Sequence, residues 1–431
     1  MKKNLSLIMA ALLVLAWYIT LSSWFGNESK YKEIISEAQR LEAKGLYLDA
    51  IEQYESAKEV KGNTLELAEY IADDYLAMGN YKEYQKQLKA ILNTYGPIED
   101  DVDRMVSFHK NYSSQGTLIE CVAELYQQYP GNEVVKAYYD SLKGVYEERY
   151  ISSEYIGNFR GNYAVYESGG KKGLLNEEGQ MIMEAVYDEL IYDGNNKDAI
   201  SVKDGKEWFY ISIDGYKTKE PESNYEYLDV ISEKRILAKI NGKFGYLDSN
   251  MQGKTEFIYD EATAIYEGVG AVRQGEKWAI IDRKGELVTE YIYDDVVINS
   301  AGICSLNKVI GVAQNGEYFL INTRGERIGE QSFQNMKAFE SKQPCAVCVE
   351  DKWGYMDLEG NIVIDCSYEN AKSFANDYAP VCQDGLWGYI DQENRLVVEY
   401  NFAEAGNFTD NGAAPVAHGN TWTLIQLAIK E

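Results

Sequence analysis

Three regimes of hydrophobic and polar patterning follow one another along the chain. From Leu5 to Phe25 there are 21 consecutive residues without a charge, a length that crosses a bilayer core as a helix. From about Ser29 to Tyr150 apolar residues recur at three- and four-residue spacing, which predicts packed helices. Past Ile151 the period becomes two, with glycine at regular intervals, which predicts strands joined by tight turns. The expected organisation is therefore residues 1–28 as a cytoplasmic stub and transmembrane anchor, 29–150 as a helical domain and 151–431 as a β domain.

Lys2 and Lys3 precede the apolar run, which by the positive-inside rule leaves the N-terminus in the cytoplasm and sends the remainder out. The competing reading is a cleaved signal peptide. Against it, the run is long for such a segment, no small-x-small site precedes Asn27, and no lipobox-like cysteine follows. The expectation is a single-pass protein of the bacterial cell membrane, extracytoplasmic after about residue 28.

Within the helical stretch, Gly45-Leu46-Tyr47-Leu48-Asp49-Ala50-Ile51-Glu52-Gln53-Tyr54-Glu55-Ser56-Ala57 places a helix-ending glycine, a turn aromatic and small residues where two helices approach. It resembles the tetratricopeptide repeat. The phrase returns at Gly79, Tyr81, Leu88 and Ile91, 34 residues after Gly45, which is that family's period. Tyr84 replaces the small alanine in the second unit, so that helix pair is expected to splay. A third unit is suggested by Gly116, Cys121, Leu125 and Pro130, before a last helix around 134–146. The resemblance implies a short α-solenoid close to the minimum stable size.

The β region repeats one phrase, as Lys352-Trp353-Gly354-Tyr355-Met356-Asp357 and again as Leu386-Trp387-Gly388-Tyr389-Ile390-Asp391. Aligned on its last residue, eight register points emerge: Asn176, Ser212, Asp248, Asp282, Asn322, Asp357, Asp391 and Gln426, at intervals of 36, 36, 34, 40, 35, 34 and 35. Four residues before each stand Lys172, Trp208, Phe244, Trp278, Tyr318, Trp353, Trp387 and Trp422. A glycine follows as Gly179, Gly215, Gly253 (in a stretched third unit), Gly285, Gly325 and Gly360, with Asn394 in the seventh. A second aromatic recurs as Tyr187, Tyr225, Tyr259, Tyr293, Phe333, Tyr368 and Phe402. The acid opens a turn and the following residue supplies its positive φ. Alternation sends Trp and Tyr to one face and Gly and Ile to the other, so both faces should be covered by neighbouring units. The mid-strand glycine marks a close approach, expected from the next unit's ring.

These phrases resemble the WG (KWG) repeat family of bacterial proteins over about 280 residues. That implies a repetitive β-array used for interaction. The eighth unit stops five residues after Gln426 without a return strand, while residues 150–158 precede the first unit. That leading segment is expected to complete the last unit and close a propeller-like ring, with an open β-solenoid as the alternative. Deleting residues 150–158 should then destabilise the whole array. Overall the fold class is multidomain, α plus all-β.

Composition narrows the chemistry. Net charge is −27, with 23 acidic and 14 basic residues over 26–150 and 46 and 26 over 151–431. Such a field repels phosphate backbones, so no nucleic-acid partner is expected. Cys345-Ala346-Val347-Cys348 forms a CxxC, but on a strand, where residues three apart face opposite ways; Cys345, Cys348, Cys366 and Cys382 read as packing residues first and a disulfide second. The run Ile98–Asp103 reads as a helix start rather than a calcium loop, lacking the loop's glycine and terminal glutamate. His109 and His418 are too few for a histidine metal site. No nucleophile elbow or phosphate-binding glycine loop is present. The chain is expected to be a non-catalytic interaction scaffold without cofactor or metal, binding another envelope or secreted protein. The alternative is a cell-wall or glycan-binding module using exposed Tyr and Trp and carboxylates. Trp208, Phe244, Trp278, Tyr318, Trp353, Trp387, Trp422, Asp248, Asp282, Asp357 and Asp391 are expected to be structural repeat positions rather than ligand contacts.

Overall fold

The computed structural model describes Trp17 and residues 26–429. The expected transmembrane segment, residues 5–25, lies outside the described residues apart from Trp17. Among the described residues no helix is long and apolar enough to cross a membrane. The chain divides into two compact units, Met1–Leu142 and Lys143–Glu431.

The first unit is helical: α1 (residues 26–42), α2 (Tyr47–Lys61), α3 (Leu65–Ala77), α4 (Tyr81–Tyr95), α5 (Glu99–Tyr112), α6 (Gln115–Gln128) and α7 (Glu133–Leu142). Side-chain caps start four of them: Thr64, Asn80 and Ser114 accept from Leu67 N, Glu83 N and Thr117 N, and Asn132 from Val135 N. Gly45 and Gly79 end α1 and α3 at φ 75° and 71°, where a Cβ would be strained. Ala38, Ala50 and Ala57 are wholly buried with Tyr54, Leu67 and Ile71 in the core of the first three helices. Tyr84 is buried against Phe108 of α5, ring centroids 5.2 Å apart, so its bulk is taken up by the next unit. The last helix stops at Leu142 rather than near 146, because Tyr146 onward is a strand. The 150/151 boundary expected from periodicity falls inside that strand.

Buried Asp74 of α3 carries an oxygen with no partner. Burial, then the Glu42 carboxylate, pushes its pKa up to about 7; Tyr54 donates to that same Glu42 at 2.6 Å. A carboxyl whose folded pKa is raised contributes stability below its unfolded pKa, near 4, and loses it as pH rises through about 7. Asp74→Asn mimics the protonated form. It should therefore stabilise the helical unit at pH 8 by on the order of 2 kcal/mol and do little at pH 4. Thermal unfolding followed at 222 nm checks this; equal shifts at both pH values would contradict it.

The second unit is an eight-bladed β-propeller. Its eight sheets follow the chain in order. The sixth blade is typical: Asn335–Met336, Cys345–Val349, Lys352–Met356 and Ile362–Tyr368, each antiparallel to the next. Blades one to five begin at Tyr155, Glu189, Tyr227, Glu261 and Asp295, and the seventh and eighth at Asn370 and Glu404. Eight hydrophobic clusters fill the eight junctions between neighbouring blades. The junction of blades eight and one is among them, holding Leu424 and Ile151 with Ile156, Ala164, Tyr166 and Leu175. A ring, not an open solenoid, is the arrangement in which every blade has two covered faces.

Closure comes from the N-terminal side, as expected, but from an earlier strand. Tyr146–Ser153 pairs antiparallel with Thr421–Leu427, Tyr146 opposite Leu427 and Arg149 opposite Leu424. Ala428 N donates to Val145 O at 2.8 Å, and Thr423 donates its hydroxyl to Arg149 O. Asn158 adds a further tie by accepting from Asn407 N at 2.9 Å.

Candidate functional site

The repeat positions are spent on building blades. The first and second aromatics stand directly opposite one another across adjacent strands: Trp353 faces Tyr368, Trp387 faces Phe402, Tyr318 faces Phe333, and Lys172 faces Tyr187. Single bridges pair Phe244 with Tyr259 and Trp278 with Tyr293. Aromatic cross-strand pairs of this kind stabilise sheets directly. Trp422 has no downstream partner and pairs instead with Ser153 of the closing strand. Trp208, Trp278 and Trp387 are buried, and Lys337 and Lys372 cover the rings of Trp353 and Trp387 at 4.9 and 5.0 Å.

The tyrosine two residues after the tryptophan position clamps the next blade. Tyr210, Tyr246 and Tyr389 are buried and donate to Asp229 O, Thr263 O and Gly406 O at 2.5, 2.7 and 2.8 Å. Tyr355 keeps the position, packing on Phe374 at 4.7 Å, but its hydroxyl has no partner. The mid-strand glycine does not receive the next unit's ring. A Cβ on Gly354 would stand 2.5 Å from Ile364 O, and one on Gly388 2.5 Å from Val398 O. The close approach is the return strand of the same blade, bulged between the Trp and Tyr pairings.

The register acids hold turns. Asp357 Oδ1 accepts from Glu359 N and Asn361 N at 3.0 and 2.8 Å; Asp248, Asp282 and Asp391 accept from the same two relative positions. Positive φ follows at Gly285, Gly360 and Asn394. In the third blade it falls on Met251, φ 65°, and not on Gly253, so that turn is of ordinary length and simply lacks its glycine.

Sequence reading missed one further repeat position, the residue immediately after the second aromatic. Asp188, Asp260, Gln334 and Glu369 accept from Gly205, Gly275, Asp351 and Gly385 N at 2.7, 2.9, 3.0 and 3.1 Å, capping the hairpin that precedes the tryptophan strand. Lys171, Lys243 and Lys277 bind Asp188, Asp260 and Asp294, each 17 residues on, and hold those carboxyls below their ordinary pKa. The signal was legible, an acid or amide following the aromatic in unit after unit.

The other candidates resolve into packing. All six cysteines are free thiols. Cys345 is buried at the junction of blades five and six, while Cys348 and Cys382 stand opposite Trp353 and Trp387. Glu99, Asp100 and Asp101 form the first turn of α5, and no metal-holding cluster occurs among the described residues. Buried His109 lies 3.1 Å from Ser113 Oγ, and burial lowers its pKa. His418 Nε2 sits 2.9 Å from Glu148 Oε1 of the closing strand, an ion pair when the ring is protonated.

What remains outward is acidic with isolated aromatics. Across the outer side of α3 no basic residue accompanies Glu66, Glu69 and Asp73. Arg104 of α5 answers Asp73 through two hydrogen bonds of 2.7 and 2.8 Å, while Asp101 is buried with both oxygens unpartnered. On the propeller, Tyr150 and Tyr216 are the most exposed tyrosines, at 86% and 75%.

No curated protein matches the chain. Solved structures similar to it include Hsv2 of Kluyveromyces marxianus, 10% identical over 65% of this chain and 98% of that one, TM-score 0.37. Another is the Pan2 WD40 domain of Neurospora crassa, 12% identical over 55% and 88%, TM-score 0.31. The family model of the WG containing repeat matches residues 244–278, 353–387 and 387–422. Each match runs from one tryptophan-position aromatic to the next, so the sequence unit straddles two blades. The C-terminal unit of this chain is thus an eight-bladed β-propeller that matches the WG containing repeat at three of its repeat positions.

Proposed function

We propose that the chain is a non-catalytic protein–protein interaction scaffold of the bacterial envelope, held at the membrane by residues 5–25. The helical unit and the propeller are its two binding bodies. The observation that carries this reading is the use of the repeat residues. Their aromatics, acids and glycines build the blades, which leaves a rigid platform whose outward residues differ from blade to blade. Both regions are acidic, so the favoured partner is an envelope or secreted protein presenting a basic surface.

The test is crosslinking and pull-down of the full-length chain with mass spectrometry, at low salt and at about 0.5 M, where exposed charges are screened beyond a few ångströms. A basic protein captured at low salt and lost at high salt supports the reading. Retention on purified cell wall, with no protein captured, would favour glycan recognition through residues such as Tyr150 and Tyr216 instead. A propeller fragment for such work has to begin at Lys143, since one starting at 151 lacks most of the closing strand.

A further inference from the structure

The fifth blade departs from the others in the segment between its first strand and its long hairpin. Residues 297–308 occupy the place that residues 372–377 fill in the seventh blade. This is the origin of the interval of 40 between register points Asp282 and Asn322. The extra chain is ordered by its own contacts. Asn299 Oδ1 accepts from Ala301 N and Ile303 N at 2.9 and 3.3 Å, and Gly302 turns at φ 73°. The short strand Ser305–Leu306 pairs back on Val309–Gln314. Neighbours brace it on both sides: Ala264 N of the fourth-blade loop donates to Gly302 O at 3.3 Å, and Asn307 Nδ2 donates to Ser341 O of the sixth-blade loop at 3.0 Å.

At the tip stands Ser300. Its amide and hydroxyl donate to the two oxygens of Glu340 in the sixth-blade loop, at 3.0 and 2.7 Å. The third partner is Arg160 of the first blade, whose guanidinium donates to Ser300 Oγ and lies 3.7 Å from Glu340. Arg160 is itself fixed by the turn that pairs it with Tyr163, at 2.8 and 3.3 Å between their backbone groups. In a ring of eight, the first and fifth blades are four places apart in either direction. Their loops can meet only across the ring's axis. Other hydrogen bonds between blade loops follow the circumference, such as Asn376 to Phe408 O and Gln343 to Asp377.

We infer that residues 297–308 are a strap across the propeller axis, locked by the Arg160–Ser300–Glu340 contact, that closes the central opening on this side and couples the first blade to the fifth and sixth. It follows that partners engage the blade loops or the rim, and that nothing enters the channel from this face while the strap is seated. The charge-assisted contact is partly shielded, the Arg160 and Glu340 side chains being 23% and 16% exposed, so it is stronger than a pair held in open water.

The test is hydrogen–deuterium exchange on the full chain with Arg160→Ala, Glu340→Ala and the double variant. Each single change should speed exchange of the amides in residues 300–303 at least about tenfold, with the strand Tyr146–Ser153 unchanged, because a seated tip exchanges only by local opening. The double variant should exchange at least as fast as the faster single, since Arg160→Ala leaves Ser300 bound to Glu340 and Glu340→Ala leaves it bound to Arg160. Unchanged exchange at 300–303 in the folded single variants overturns the strap. Should Arg160→Ala fail to fold, Ser300→Ala removes the hydroxyl at the centre of the contact and is expected to speed the same amides.

Discussion

Deleting Tyr146–Ser153 from the full chain should abolish the cooperative unfolding of the propeller, not merely shift it. This strand is the fourth of the eighth blade, and Thr421–Leu427 has no other partner on that side. Removing it exposes a row of backbone groups and uncovers Leu424 and Ile425, both fully buried. It also removes Ile151 from the junction between blades eight and one. The loss then spreads, because every blade packs on both neighbours through a hydrophobic junction and an opened ring leaves two unsatisfied faces. The expected result is a broad, non-two-state melt of the aromatic near-UV signal in place of a single transition, with helical signal retained. A deletion variant that melts in one step at the parent temperature would show that ring closure contributes nothing to stability.

Trp387→Ala is the point substitution with the largest expected cost. The ring is 7% exposed, lies opposite Phe402 and belongs to the junction cluster that includes Phe408, Val416 and Ile425. Truncation removes that packing, leaves a cavity and uncovers the Lys372 ammonium, for about 3–5 kcal/mol in all. Trp353→Ala removes the equivalent ring from a half-buried site and should cost less. Urea midpoints of the two variants, at unchanged m-value, check both the size and the order. A Trp387→Ala chain with the parent midpoint and lost partner binding would reassign the residue from packing to recognition.

Much of this was legible in the chain. The eight register points, the paired aromatics and the turn-forming acids come from local geometry, alternation along a strand and positive φ in a turn, which a sequence expresses directly. Even closure could be anticipated, since a last unit without a return strand and a spare leading segment complement one another. Other features depended on chain contacts that no local pattern encodes. The closing strand begins at Tyr146, inside what periodicity reads as the end of a helix, because its partner lies some 270 residues away and the pairing outweighs local propensity. The glycines of Trp-Gly-Tyr answer the backbone of their own return strand, and the acid after the second aromatic caps a hairpin in the following blade; both require knowing which strands adjoin.

By itself, then, the sequence determined the repeat, its number and the role of its aromatics and acids, because each follows from short-range stereochemistry repeated in register. Only the tertiary structure decided where the blades divide, which strand closes the ring, that Asp74 and Asp101 are buried, and that Arg160 reaches Ser300 and Glu340 across the axis. Those are consequences of bringing distant segments together, where burial and pairing, not local preference, set the free energy.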